Sequence, residues 1–289
     1  MTARKRKQKP EISVVGSGRL GTTLAVALLH RGYPVRTIVA KRLQNARKAS
    51  RLLDGEVQIL AAKELSSLRP TDVILITVPD DQIANVAAEL SRIEVPAAAR
   101  PVVFHTSGAL SSDVLLPLRK RGWHTGSIHP LVSVSHVGVP IEGSFWSVEG
   151  DQAAVRLGKT IVSDLGGKSL FIRSEDKPLY HAAAVMVSGN VVALFDVALE
   201  MLAACGLKRE TAHNILLPLI ASTVRNLETK TPAESLTGTF SRGDLETVKR
   251  HLAALKGHPE ALELYRLLGK RSLKLTKGHP QITQLLDSV

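Results

Sequence analysis

The sequence predicts an α/β fold: a doubly wound parallel sheet followed by an all-helical C-terminal domain. Three observations predict it. Short apolar runs alternate with helical patterns as far as Arg173, the strand signal stops at Ser174, and long apolar-periodic segments fill the rest. The run 11–15 has the composition of a buried strand, and it ends in Gly16-Ser17-Gly18-Arg19-Leu20-Gly21 before an apolar helical pattern over 22–29. A G-x-G-x-x-G motif between a strand and a helix signals dinucleotide binding, which makes the sheet Rossmann-type. Gly16 permits the tight turn, Gly18 lets the backbone approach a pyrophosphate, and Gly21 lets the helix pack close to the strand. The helix N-terminus offers unpaired N–H groups to the anion.

A second strand is predicted over 35–40, and further strands over 72–78, 101–105, 123–129, 145–148 and 169–172. Helices are predicted between them over 80–90, 112–120 and 151–165. Beyond Ser174 come helical patterns over 177–204, 208–228, 244–255 and 259–268, with Pro218 expected to kink the second. The chain therefore divides into a basic disordered arm (1–10), a dinucleotide-binding domain (11–173) and a helical domain (174–289).

Composition narrows the classes of function. At 289 residues, with 44% hydrophobic and 22% charged residues, the chain has the make-up of a folded soluble protein with a sizeable core. The run 182–199 is its longest bilayer candidate, and Ser188, Gly189, Asn190 and Asp196 interrupt it, so no membrane span is expected. The basic N-terminus lacks an apolar segment and so is not a secretory signal, which points to the cytoplasm. The net charge of +12 invites a nucleic-acid reading, but aromatic residues make up only 3% of the chain, leaving little for base stacking. No specific nucleic-acid partner is expected. Cys205 is alone, which excludes an internal disulfide or thiolate cluster, and it reads as a small buried apolar residue.

The second strand indicates which nucleotide. An NAD site usually carries an acid near the end of this strand, to bind the ribose 2′-OH. Here Lys41 and Arg42 follow instead, cations suited to a 2′-phosphate, so NADP(H) is favoured over NAD(H). The alternative is a solvated basic helix face, which is accepted for Arg47 and Lys48.

Ligands of open α/β sheets bind outside the carboxyl ends of the strands, where this chain places Val78-Pro79-Asp80, His105-Thr106-Ser107-Gly108 and Ile128-His129-Pro130. Asp80 reads as a helix cap, and Ser111 or Ser112 likewise. His105 and His129 break apolar runs where cofactor and substrate should meet; either could equally be a hydrogen-bonded structural histidine. Lys177, His181 and Ser188, spaced by four and then seven, fall on one helical face with Asn190 about half a turn away. This polar stripe on an apolar helix holds the catalytic candidates, His181 with Lys177 and Ser188, while Asn190 joins the substrate contacts. In the loop 237–244, Arg242 could bind an anionic group and Asp244 caps the next helix.

Together the motifs Gly16-Ser17-Gly18-Arg19-Leu20-Gly21, Val78-Pro79-Asp80, His105-Thr106-Ser107-Gly108-Ala109, Ile128-His129-Pro130-Leu131, His181-Ala182-Ala183-Ala184 and Thr237-Gly238 with Arg242-Gly243-Asp244 give the chain a family resemblance. It resembles bacterial proteins that join a Rossmann-like domain to domain of unknown function 2520. The N-terminal half is also similar to the NADP-binding domains of deazaflavin-dependent NADP reductases, pyrroline-5-carboxylate reductases and β-hydroxyacid dehydrogenases. The Ile128-His129-Pro130 turn is similar to one in prephenate dehydrogenases, which implies a small oxidised or hydroxylated acid as substrate.

The resemblance implies an NADP(H)-dependent oxidoreductase that passes hydride to or from a small carbonyl, imine or hydroxy acid, and a homodimer formed through the helical domain. Cofactor contacts would fall to Gly16, Ser17, Gly18, Arg19, Leu20, Gly21, Lys41, Arg42, Val78 and Pro79. Substrate contacts would fall to His105, Ser107, His129, Asn190 and Arg242, and proton transfer to His181, with Lys177 and Ser188 assisting. A non-catalytic NADP(H) sensor is the alternative. A metal-dependent hydrolase using His105, His129 and His181 lacks any supporting local spacing.

Overall fold

A computed structural model describes residues 8–53, 55–69, 71–96 and 99–288; residues 1–7 of the expected basic arm lie outside them. Strand β1 (Ile12–Val15) turns into helix α1 (Arg19–His30), followed by β2 (Val35–Ala40), α2 (Leu43–Ser50), β3 (Gln58–Ala61), β4 (Val73–Ile76) and α3 (Asp80–Leu90). Next come β5 (Val102–His105), the short α4 (Leu116–Arg119), β6 (His124–Pro130), β7 (Phe145–Gly150), α5 (Gln152–Asp164) and β8 (Lys168–Leu170). The strands form one eight-stranded sheet in the order β3-β2-β1-β4-β5-β6-β7-β8.

Period-two alternation sends successive residues to opposite faces of this sheet. Val14, Ile38, Leu75 and Phe104 pack with Leu24 and Leu28 of α1 and Ile161 of α5, whereas Val15, Val39, Ile76 and Val103 pack with Ile83 and Leu90 of α3. Helices therefore cover both faces. Burying each Ile, Leu or Phe stabilises the fold by about 1.5–3 kcal/mol.

The chain separates into two compact units, 1–186 and 187–289. Helix α6 (Lys177–Val187), whose residues the sequence reading groups with the helical domain, lies almost entirely in the first unit. The second unit holds α7 (Gly189–Ala204), α8 (Arg209–Thr229), α9 (Pro232–Ser235), α10 (Thr239–Arg242), α11 (Leu245–Leu255), α12 (Pro259–Leu273) and α13 (Pro280–Asp287). Its core gathers Val248, Leu252, Leu273, Ile282 and Leu286.

The structure corrects several expectations. The sheet is not wholly parallel: β7 runs antiparallel to β6, because the connection between them carries no crossover helix to return the chain to the other end. Edge strand β3, too short and mixed to stand out in the sequence, pairs in parallel with β2. The helix expected over 177–204 breaks at Ser188, the residue that precedes α7, with φ −119° and ψ −83°. The shared face of Lys177 and His181 therefore ends before Ser188. Cys205 is exposed, at the C-cap of α7, rather than buried. By length and composition alone the run Ser174–Ala204 would also pass for a membrane span, although it breaks at Ser188.

Candidate active site

The glycine turn is held from a neighbouring strand. Gly16 has φ +119°, and a Cβ there would meet the backbone of Thr77 at 2.7 Å. A Cβ on Gly21 would fall 1.9 Å from the Gly16 carbonyl oxygen, so only glycine fits where α1 crosses β1. Thr77, just past the end of β4, donates its hydroxyl to that same carbonyl at 2.6 Å. Gly18 caps α1 with no atom within 4 Å of where its Cβ would stand, so backbone and open space meet there. The first turn of α1 has no acidic residue and no side-chain cap, leaving its N–H groups to an anion. Arg19 is turned aside to the Ser135 carbonyl, the Ser17 carbonyl accepts from Thr22, and Leu20 packs on the core.

Beyond Gly16 a cavity of about 500 Å³ runs along the strand ends, lined by Ala40, Lys41, Lys63, Val78, Pro79 and Asn85 among others. Arg42 is an exposed N-cap of α2 in extended conformation and does not line it. A larger concavity, about 880 Å³, lies around Glu11, Arg36 and Gln58 at the amino ends of β1 to β3, away from the end where open α/β sheets bind ligands.

Strand register assembles the second part of the site. His105 stands opposite Ser127 across β5 and β6, and Ser127 opposite Glu149 across β6 and β7. Helix α6 lays Lys177 over them. Its ammonium, with no exposed surface, donates to the Ser127 hydroxyl at 2.8 Å and stands 3.5 Å from a Glu149 carboxylate oxygen. That carboxylate also accepts from the backbone N–H and the hydroxyl of Ser112, both at 2.8 Å. Burial pulls the Lys177 pKa down, while Glu149 works in the opposite direction to keep the ammonium charged.

Three imidazoles gather beside this pair. His129 and His181 meet edge to face with centroids 5.5 Å apart, and both press on Gly108. A Cβ on Gly108 would lie 2.5 Å from His181 Nδ1 and 2.7 Å from His129 Cε1, so the glycine of His105-Thr106-Ser107-Gly108 makes their convergence possible. His181 Nδ1 is buried and has no hydrogen-bond partner. Tyr180 hydroxyl stands 3.1 Å from His129 Nδ1. Burial, with help from the neighbouring Lys177 charge, holds His105 neutral with a pKa of about 3. Burial, then His181 and Lys177, bring His129 to about 4. His105 Nδ1 accepts from the Ser107 N–H.

Other candidates have local duties. The Ser107 hydroxyl donates to Asp80 at 2.7 Å and accepts from the N–H groups of Ala109 and Leu110, shaping the turn that carries Gly108. Ser111 caps the turn that follows through the Asp113 N–H, and Asp244 caps α11 through the Thr247 N–H. Ser188, Asn190 and Arg242 belong to the second unit: Ser188 stands at the N-cap position of α7 without a side-chain cap bond, Asn190 lies exposed in its first turn, and Arg242 is the exposed last residue of α10. Among the described residues no group of three or more His, Cys, Asp or Glu side chains is arranged to hold a metal ion.

Sequence reasoning missed Thr77, Ser127, Glu149 and Tyr180. The signal for Glu149 was a carboxylate continuing the apolar strand begun at Phe145, since a charge inside such a strand demands a buried partner.

Residues 2–130 match the family profile of the Rossmann-like domain, and residues 144–272 match DUF2520, a domain of unknown function. Among solved structures the chain is similar to a candidate NADP oxidoreductase from Bacteroides fragilis, at 22% identity and TM-score 0.75, over 92% of this chain and 98% of that one. A protein from Thermotoga maritima is similar at 24% identity and TM-score 0.72, with the same coverages of 92% and 98%. A reductive aminase from Aspergillus terreus, solved with NADPH and ethyl-5-oxohexanoate, is similar at 15% identity and TM-score 0.63, over 94% of this chain and 96% of that one. At these identities the likeness is one of fold. No curated protein matches the chain in sequence.

Proposed function

For a chain that belongs to the proteins joining a Rossmann-like domain to a DUF2520 domain, we propose an NADP(H)-dependent oxidoreductase acting on a small carbonyl, imine or hydroxy acid. The observation that carries this reading is His181 Nδ1, a buried nitrogen without a partner, set against Gly108 and His129 at the carboxyl ends of strands whose first turn is a glycine cradle. The residues present fit a dinucleotide: Gly18 faces open space, α1 starts without an acid, and Lys41, Val78 and Pro79 line the adjoining cavity. The similar folds support the same cofactor class, one of them having been solved with NADPH.

When bound, the nicotinamide supplies or accepts the hydride. The chain's residues bind, orient and move one proton. Gly16 to Gly21 and the first amides of α1 would hold the pyrophosphate, and Lys41, in the adjoining cavity, favours a 2′-phosphate, with Arg42 outside it. The His181 imidazole gives a proton to the substrate oxygen or nitrogen, or takes one from it. His129 is neutral, and with the Tyr180 hydroxyl donating to its Nδ1 it presents an Nε2–H donor to the substrate. Lys177 and Glu149 brace this surface from below rather than exchange protons with substrate, because Lys177 is sealed against Ser127 and Glu149.

A homodimer is part of the proposal. Helices α7 and α8 expose Val192, Leu194, Ile215, Leu219 and Val224, while burying only Leu199 and Ala212, an apolar surface suited to a second copy.

The test is a screen of NADPH oxidation with aldehydes, keto acids and cyclic imines, followed by His181→Ala on any substrate found. Turnover should fall by about 10²–10⁴-fold with NADPH affinity nearly unchanged. Loss of thermal stability with turnover per folded molecule intact would reduce His181 to a packing residue. NADPH binding without turnover on any class would favour a nucleotide sensor.

A further inference from the structure

The cation that selects the nucleotide is sought by habit after the second strand, yet this cavity has one from the third. β2 and β3 pair in parallel with Ala40 opposite Ala61, so the residues following the two strands leave the sheet at the same edge. Lys41 follows one strand and Lys63 the other, and both line the cavity of about 500 Å³ that adjoins Gly16. The backbone at Lys63 is set: the Glu64 carboxylate accepts from the Ala61 N–H at 2.8 Å and closes the short helical turn Ala62–Ser67. Glu64 is thereby occupied with its own turn. Two carboxylates, Asp81 and Glu89, face the cavity from α3 on the opposite wall, so the cavity is cationic at the strand edge and anionic at the helix.

We propose that Lys63, with Lys41, binds the 2′-phosphate of the adenosine half and is the residue that sets preference for NADP(H) over NAD(H), with Arg42 in a minor role outside the cavity. This deepens the nucleotide reading above and rests on it. The phosphate ester carries close to two negative charges and three acceptor oxygens, which a pair of ammonium groups on adjacent strand ends can share. Repulsion from Asp81 and Glu89 keeps it on the lysine side.

The experiment is isothermal titration of the full chain with NADPH, NADH, adenosine 2′,5′-bisphosphate and 5′-AMP, for the parent, Lys63→Ala, Lys63→Arg and Arg42→Ala, each checked for an unchanged melting temperature. Lys63→Ala should weaken NADPH and the bisphosphate by about five- to tenfold, as expected for a charge-assisted contact at a half-open site, and leave NADH and 5′-AMP unmoved. Lys63→Arg should retain the preference, and Arg42→Ala should cost less than Lys63→Ala. A parent that prefers NADPH alongside a Lys63→Ala protein with the same preference overturns the role of Lys63 and leaves the nucleotide reading standing. Equal parent affinities for NADPH and NADH overturn both Lys63 and the choice of NADP(H). A parent that binds neither nucleotide overturns the site itself.

Discussion

Removing Lys177 tests whether the ammonium braces the site or exchanges protons within it. Lys177→Met keeps the length and apolar bulk of the side chain and deletes a charge that is fully buried, 2.8 Å from the Ser127 hydroxyl and 3.5 Å from Glu149. The Glu149 carboxylate would keep its two bonds from Ser112 but lose the buried counter-charge of Lys177. Breaking one partner out of a buried ion pair costs about 3–5 kcal/mol, because the other charge stays desolvated and uncompensated. Glu149→Gln should cost a similar amount for the mirror-image reason. Lys177→Met combined with Glu149→Gln removes both charges and should lie within about 1–2 kcal/mol of the parent, so the coupling energy is about 3 kcal/mol or more. The assay is equilibrium unfolding in urea for the four proteins at neutral pH, with m-values compared to establish that the same transition is measured. Strict additivity of the two single changes would refute the buried pair. A stable Lys177→Met protein that has lost turnover but not NADPH binding would refute the bracing role, making Lys177 a proton-exchanging group.

Acid should weaken the fold before its carboxylates titrate. His129 has its folded pKa lowered from 6.5 to about 4, so the unfolded chain binds more protons between those values. The stability of the neutral, buried ring is full above pH 6.5 and falls as pH drops toward 4, by at most about 3 kcal/mol for this one group. Melting temperatures taken from pH 7.5 to 4 should decline in that window, and less steeply in His129→Gln; identical profiles would refute the assignment. The exposed apolar surface of α7 and α8 should make the parent a dimer in sedimentation velocity, and Val192→Glu with Leu219→Glu a monomer. A monomeric parent that partitions into lipid vesicles would assign that surface to a bilayer instead.

What could be read from the chain alone depended on the range of the forces involved. The turn after β1 was legible because its requirement is local: a strand, three glycines and an apolar helix in one stretch. α3 was placed to the residue, since Pro79 and Asp80 mark its start and the periodic Ile83, Ala87 and Leu90 mark its buried face. His129 and His181 were singled out one by one, as was His105, but nothing in the sequence says that the first two meet at Gly108. Lys177 was legible as one of a polar stripe on a helix; its burial depends on Ser127 and Glu149, 50 and 28 positions away. The face shared with Ser188 failed because a spacing of seven assumes an unbroken helix, and α6 ends at Val187. The antiparallel β7 was missed because a strand's periodicity carries no direction.

The hydroxyl of Thr77 reaches the carbonyl of Gly16 across 61 residues of chain. The strand-turn-helix segment that bears the glycine motif is thus not a self-contained cassette. Moved into another sheet, it would lose the bond that fixes the Gly16 carbonyl unless the new neighbouring strand ended in a hydroxyl at the same height. The same span dictates order in folding. Closing a loop of this length is slower than forming the local turns of α1, so the glycine turn reaches its final shape only when β4 docks beside β1. A substitution that slows or loosens β4, such as Leu75→Ala in the middle of the core, would for that reason blur the cradle from a distance without touching a residue of the motif.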